Sequence, residues 1–571
     1  MPTLEFKGKQ FVYSHHHSVP FRELVIEDEK SFPAKNNKPN IDDNLIINGD
    51  NLHALKALMP LYAGKIKCIY IDPPYNTGNE GWCYNDNVNS PLMKEWLVKN
   101  ANPVDKEDLQ RHDKWLCMMY PRLKLLHELL ADDGVIFVSI DDNEVHHLRA
   151  VMDEIFEEDN KLDRGMIIWK NSGSTKGFNK IVKNHEYIVC YGKNAENVKT
   201  VFGENFPNDL NVIDERLQIK RSSKNPPCKI TFPKGIRIEE KKDIIFTGEL
   251  VSGTNKVDII SDSLEFKNGV LVQDSVLEGA FPYKNQMELF FKNLETDNKT
   301  FDTKNQEWIE VYFSSTGVPK YKKIRNNKIL SSIPEGIPNS GLSELESINL
   351  SFDNPKPSDL IKILLKYFTT GDDLVLDSFA GSGTTAHAVL DLNKEDGGNR
   401  KFILVEMEDY ANSITAERVR RVIKGVPNAK DEKLKNGLGG SFTFCKLGDE
   451  FNIEKILTGE ALPKYEALAN YVFYTATGKS LETPAKQRID YFVGETDLYE
   501  VYLIYQPDIA FLRSNESALN AKMVEIISQR SVSKKQKLVF ASAKYMGQNE
   551  LNQYKIIFCQ LPYAIHKITI K

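Results

Sequence analysis

The chain has 571 residues, of which 41% are apolar and 27% charged, and its formal net charge is −6. That length accommodates about three to four domains, and the composition excludes collagen-like, mucin-like and wholly disordered classes. A net negative charge confines any nucleic-acid surface to a local basic patch.

No apolar run approaches the ~18–20 residues that span a bilayer, and residues 1–9 show no signal-peptide core. Seven scattered cysteines, without a C-x-x-C pair, point to a reducing cytoplasm and away from a zinc ribbon. Residues 1–43 are polar and end in a Lys/Asn/Pro/Asp cluster, which predicts an arm and a linker. His15, His16 and His17 lie inside this arm, but three adjacent histidines do not easily face one ion, so a surface or capping role is expected. Across 44–195, short apolar runs at 45–47, 68–71, 135–140, 166–169 and 187–191 have the length and β-branching of buried strands. Helix-like stretches at 52–61, 115–130 and 144–156 separate them, so the segment predicts a mostly parallel sheet covered on both faces. Across 196–345 the text becomes irregular and strand-rich; 216–242 carries nine Lys/Arg against two Glu, and 313–330 carries five and no acid. The α/β texture returns over 346–435, with helices at 360–368 and 383–392 and strands at 374–376 and 402–405. Residues 436–571 predict a small α/β appendage, with strands at 498–505, 537–540 and 554–561 and an amphipathic helix at 516–528.

Two constellations carry chemistry. The first runs from Asp377 through Phe379, Gly381, Ser382, Gly383 and Thr384, between a strand and a helix. Its glycines let the backbone turn sharply and approach a ligand, which then faces helix N-terminal amides. The next strand closes on Glu406, an acid placed to accept ribose hydroxyls, so the context predicts an adenosine-type cofactor. A nicotinamide oxidoreductase is a rival on the glycine pattern alone. The second is Asp72-Pro73-Pro74-Tyr75, directly after a strand. Two prolines stiffen the loop and remove two donors; Asp72 and the Pro73 carbonyl offer acceptors, and Tyr75 offers a flat face. That set suits a planar ring bearing an exocyclic amine.

Asp72-Pro73-Pro74-Tyr75 resembles the catalytic tetrapeptide of amino-methyltransferases, and Asp377 to Gly383 is similar to their S-adenosylmethionine loop, with Phe379 beside the cofactor. The order of motifs, catalytic before cofactor with a basic segment between, resembles the β class of DNA adenine-N6 methyltransferases. Ile47 to Leu52, Asp72 to Gly78, Tyr84-Asn85-Asp86, Gly134 to Glu144 and the Asn354-Pro355-Lys356-Pro357 run are similar to modification subunits of type III restriction–modification systems.

The resemblance implies a circularly permuted, seven-stranded S-adenosylmethionine-dependent methyltransferase sheet. Its catalytic half would be 44–195 and its cofactor half 346–435, with an inserted target-recognition domain at 196–345. The methyl acceptor would be N6 of adenine in double-stranded DNA, flipped out of the helix. Asp50 and Lys356 join the expected cofactor site. Arg216, Lys220, Arg221, Lys224, Lys320, Lys322, Lys323 and Arg325 are expected on DNA, interleaved with the aromatic residues Phe232, Trp308, Tyr312, Phe313 and Tyr321. A homodimer, a translocase–nuclease restriction partner and a bacterial, nucleoid-associated cytoplasmic setting are implied; no membrane and no metal are.

Rival readings are cytosine-N4 methylation, RNA or protein-amide methylation, and a catalytically silent recognition subunit, which the intact Asp72 to Tyr75 motif opposes. Cys228 lies in the basic segment and not after a sheet strand, which opposes a cytosine-C5 nucleophile. Asp141, Asp142 and Glu144 are expected to cap a helix or support the fold rather than bind metal. His185 and Glu186 are expected to be structural, and the acidic run 153–159 a solvated face.

Overall fold

The computed structural model describes residues 3–34, 37–78, 111–171, 182–200, 212–251, 253–294, 296, 298–302, 306–324, 330–427, 429, 431–451, 462–483, 485–530 and 535–561. Tyr84, Asn85, Asp86 and Arg325 lie outside these residues. The chain divides into two compact units, one of 1–201 with 331–571 and one of 202–330.

The first unit is built on a nine-stranded sheet. Its strands in chain order are β1 (Arg22–Ile26), β2 (Leu45–Asn48), β3 (Ile66–Ile71), β4 (Leu130–Ile140), β5 (Lys161–Lys170), β6 (His185–Gly192), β7 (Leu374–Asp377), β8 (Lys401–Glu406) and β9 (Thr443–Glu450). Their order across the sheet is β1-β9-β2-β8-β7-β3-β4-β6-β5. The six from β9 to β4 are parallel, β1 runs antiparallel to β9, and β6 is antiparallel to both β4 and β5. Leu45, Ile46 and Ile47 are all fully buried, as are Ile69 and Ile71. Such two-sided burial is what near-continuous apolar runs require of a central parallel strand. Helices α1 (Asn51–Tyr62), α2 (Arg111–Leu129), α3 (Val145–Phe156), α4 (Ser358–Phe368), α5 (Thr384–Asp396) and α6 (Glu417–Lys424) accompany it. No helix among the described residues is long and apolar enough to cross a membrane.

Two strands were not expected. The supposed arm contributes β1, and the segment assigned to the appendage contributes β9, which sits between β1 and β2. Both are mixed in polarity, because one lies at the sheet edge and the other beside it; neither carries the apolar run that marks a central strand.

The rest of the C-terminal segment forms a four-stranded sheet of Phe492–Glu495, Tyr499–Leu503, Gln536–Ala541 and Ile556–Gln560, the last three parallel. The helix expected over 516–528 begins only at Ala521, after the two-residue strand Ala518–Leu519. Val501, Tyr502, Leu503, Leu519, Met523 and Ile527 fill the segment's own cores and are not left for a partner. The Ser480 hydroxyl donates to the Ala63 carbonyl (3.0 Å), and Phe21 meets Tyr471 edge-on (4.7 Å between centroids).

The second unit is made of short antiparallel sheets around one core. Phe232, Trp308, Tyr312, Phe313 and Tyr321 are buried, none more than 3% exposed, which corrects the expectation that they face bases. Phe232, Trp308, Phe313 and Tyr321 fill the core of this unit. Tyr312 lies on the other face of its strand, covered by Arg237, Lys320 and Lys322, with its hydroxyl on Asp214. Along Pro319–Ile324, Lys320 and Lys322 alternate with buried positions, and Lys323 takes one of the buried ones.

The basic residues divide into two sets. Lys320 pairs with Glu239 (3.2 Å) and Asp214, Lys322 with Glu310 (3.1 Å), and Arg221 with Asp258 (3.1 Å). Lys323 pairs with Asp302 at 2.8 Å, with side chains 9% and 5% exposed. Arg216, Lys220 and Lys224 are exposed, with no ion pair to a described acid. The expectation that all these cations face a polyanion therefore fails for Lys323, which is an internal strut. Lys323→Ala should destabilise this unit by about 3 kcal/mol, since it removes the cation from a buried carboxylate; denaturant unfolding measures it.

Candidate active site

The register of the central strands brings their carboxyl ends to one edge. Asn48 is level with Glu406, Asp377 with Leu404, and Leu376 with Ile69. Chain connections diverge between β7 and β3: β7 continues through α5 to β8 on one side, and β3 through α2 to β4 on the other. That divergence is where open α/β sheets bind ligands.

On the β7 side, Gly381 and Gly383 take left-handed conformations (φ 50° and 81°) and turn the chain into α5. The Gly381 amide donates to Glu406 Oε2 (2.7 Å) and the Glu408 amide to Oε1 (3.0 Å), fixing a carboxylate that is only 6% exposed. Ser378 Oγ is buried with no hydrogen-bond partner among the described residues. A fixed strand-end acid, two glycines opening a helix and an orphaned hydroxyl fit a nucleoside-type cofactor. Phe379 packs partly buried against the main core.

Asp377 faces inward and braces the loop, its oxygens accepting from the Phe379 amide (3.0 Å) and the Thr385 hydroxyl. Burial pushes its carboxyl up to about 7, against those two donors. A folded-state value above the unfolded one means that the native state binds the extra proton, so stability falls as pH rises from about 4 to about 7. Asp377→Asn should remove this component, about 4 kcal/mol in order of magnitude, and flatten thermal stability over that window. An unchanged slope would show that Asp377 does not titrate there.

Asp50 caps α1, its Oδ1 accepting from Leu52 (2.9 Å) and His53 (3.2 Å), while Oδ2 lies 3.4 Å from Arg122. Ser382 and Thr384 hydroxyls both meet Arg418 (2.9 and 2.8 Å), whose guanidinium also holds Glu344 (2.9 Å). Burial lowers Arg418 to about 10. Glu344 in turn accepts from the Ser358 amide and hydroxyl (3.0 and 2.8 Å), and Thr384 donates to the Lys356 carbonyl (3.3 Å). Arg418 thus fastens the glycine loop to the segment that carries Lys356.

On the β3 side, Lys356 Nζ lies 3.0 and 2.8 Å from the two Asp72 oxygens and 3.4 Å from Glu186. It stands over the Tyr75 ring, 4.9 Å from its centroid. Burial pulls against the ammonium, but Asp72 and Glu186 outweigh it and hold Lys356 above its ordinary value. The Tyr75 hydroxyl donates to Glu186 (2.9 Å), and burial, with Asp72 and Glu186 nearby, keeps that phenol protonated. The Pro74 carbonyl is taken by Trp115 Nε1 (2.7 Å), whereas the Pro73 carbonyl accepts from no described donor.

Glu186, expected to be structural, therefore belongs to this site; it lies on an antiparallel strand whose approach to β3 no local pattern announces. Trp169, whose ring centroid is 5.9 Å from Lys356 Nζ, and Asn171, which donates to Glu186 (2.7 Å), were also not anticipated, nor were Arg418 and Glu344. Glu144 makes no capping bond and turns inward, while Asp141 pairs with Lys183 (3.0 Å) and accepts from the Asn143 amide (2.8 Å).

A glycine turn with a buried strand-end acid, beside a proline-stiffened, acid-bearing loop at the switch point of a parallel sheet, fits a group-transfer enzyme built on a nucleoside cofactor. The DNA methylase profile matches residues 66–417, and the chain belongs to this S-adenosylmethionine-dependent N6/N4 family. It is 32% identical over 420 residues to the type III restriction–modification enzyme EcoP15I Mod subunit of Escherichia coli, covering 69% of this chain and 62% of that one. It is 30% identical over 465 residues to the EcoPI Mod subunit of Escherichia phage P1, covering 74% and 68%. Its identity to the type II methyltransferase M.KpnI of Klebsiella pneumoniae is 30% over 362 residues, covering 63% and 79%.

Proposed function

We propose that the chain methylates N6 of adenine in duplex DNA, using the acceptors of Asp72 and Pro73 to hold the target amine. The open Pro73 carbonyl beside the Asp72 carboxylate, at the same sheet edge as the glycine loop, carries this reading. Bound against Gly381, Gly383 and Glu406, S-adenosylmethionine supplies an electrophilic sulfonium methyl.

The adenine amine is a poor nucleophile because its lone pair is conjugated into the ring. Two hydrogen bonds, one to Asp72 and one to the Pro73 carbonyl, favour a tetrahedral nitrogen and free that lone pair. Tyr75 stacks on the ring. Lys356 now covers that face, so the entering base displaces it and takes over its hold on Asp72. Positioning and fixed charge supply the acceleration, and no covalent enzyme intermediate is needed. A base inside a duplex must be flipped out to reach the loop. An aspartate at position 72, where a serine would favour cytosine, supports adenine within the resemblance described above.

The test offers duplex DNA, RNA and protein side by side with tritiated cofactor, then separates methylated nucleosides by mass spectrometry. N6-methyladenine in DNA is expected; N4-methylcytosine, or label in RNA or protein, would overturn the assignment.

Arg216, Lys220 and Lys224 are the cations we place on phosphate. Changing all three to alanine should lower the log–log salt slope of DNA binding by about 2.7, at roughly 0.9 for each contact. An unchanged slope moves DNA elsewhere. The names of the Mod relatives support a restriction subunit as partner, and the resemblance supports a homodimer; co-purification and light scattering test these in turn.

A further inference from the structure

Immediately after the catalytic tetrapeptide, Asn76 adopts a left-handed conformation (φ 61°) and is fully buried. Its side-chain amide donates to Oε1 of Glu144, at the start of α3. The same oxygen lies 2.5 Å from His112 Nδ1, and Oε2 lies 2.8 Å from His147 Nδ1. The Glu144 side chain is 0% exposed, while His112 and His147 are 34% and 25% exposed.

No lysine or arginine among the described residues pairs with Glu144; its partners are an amide and two imidazoles. A buried carboxylate needs a compensating positive charge. The three ligand atoms of His112, Glu144 and His147 lie within 4.8 Å of one another, and Asn76 Oδ1 beside them is buried without a partner. Two imidazole nitrogens and one carboxylate are the donor set of many zinc sites, with water completing the tetrahedron.

We propose that His112, Glu144 and His147 bind a divalent transition-metal ion of the zinc class. The two partly exposed imidazoles give the ion its entry and leave room for a water ligand. The ion supplies the charge that Glu144 lacks. Because Glu144 also holds Asn76, the ion stiffens the loop from Asp72 to Tyr75; this last consequence alone rests on the methyl-transfer reading. A second cluster, His16, His17 and Glu128, is a poorer host, since the Lys56 ammonium donates to the His16 carbonyl (2.8 Å) and opposes a cation there.

The test is equilibrium dialysis of the chelator-stripped full chain against micromolar zinc chloride, with metal counted per chain. One equivalent is expected in the unaltered protein and in His17→Ala. In His147→Ala, a change on the partly exposed face of α3, and in Glu144→Gln, zinc affinity should fall at least about a hundredfold, since even outer-shell changes cost up to that much. Cobalt should give visible ligand-field bands in the unaltered chain and in His17→Ala but not in His147→Ala or Glu144→Gln, and retained cofactor binding shows that each variant is folded. No stoichiometric zinc, or equal uptake in the unaltered chain and His147→Ala, overturns the proposal. Neither outcome depends on methyl transfer, so the site and the reaction can fail separately.

Discussion

Asp72→Ala should abolish methyl transfer, by about a thousandfold or more, while S-adenosylmethionine still binds. In the proposed reaction the carboxylate is the charged member of the acceptor pair for the target amine, and removing a single oriented group of this kind costs roughly 100- to 1000-fold on its own. Its loss has a second effect here. Lys356 keeps only Glu186 at 3.4 Å and remains over the Tyr75 ring, where the base must stack. Among the described residues no hydrogen bond or ion pair joins the glycine loop to either side chain, so cofactor affinity by calorimetry should stay within a few-fold. Turnover within tenfold of the unaltered chain would remove Asp72 from the reaction.

Gly383→Val should cost cofactor binding itself. A Cβ at this position would lie 3.0 Å from the Thr415 carbonyl, and φ 81° is a conformation that β-branched residues strongly resist. The turn must therefore open, which withdraws the amides at the start of α5 and the hydroxyls that Arg418 holds. Gly381→Val is milder in space, with the Phe352 ring at an ordinary 3.5 Å, yet it shares the backbone penalty. Calorimetry should show at least about a hundredfold weaker affinity for Gly383→Val, equivalent to some 2.7 kcal/mol. Unchanged affinity would separate this loop from the cofactor.

The core of the fold was legible because its central strands are buried on both sides and write themselves as apolar runs. Strands β2, β3, β4, β7 and β8 fall where those runs predict, with ends extended by a few residues. β1 and β9 were not legible, since Arg22–Ile26 and Thr443–Glu450 owe their place to pairing partners more than four hundred residues away. The places of the two candidate loops, each directly after a sheet strand, were legible from glycine, proline and acid at fixed offsets. The groups that tune them were not. Lys356, Glu186 and Asp72 meet through three separate elements, and no local spacing encodes that meeting. The basic insert misled in a specific way: charge counts register Lys320, Lys322 and Lys323 but not the acids opposite them across the sheet.

The sheet order has a consequence for synthesis. Strands from before the insert and after it interdigitate: β9 lies between β1 and β2, and β2 between β9 and β8. Neither portion can finish a sheet alone, so a chain emerging from the ribosome holds unpaired strand edges until Glu450 has been made. Those edges invite wrong pairing while they wait. The loop from Asp72 to Tyr75 is complete early, but the glycine loop of Gly381 and Gly383 arrives some three hundred residues later. A chain cut short inside the insert would carry the first without the second, and so only half of the candidate site.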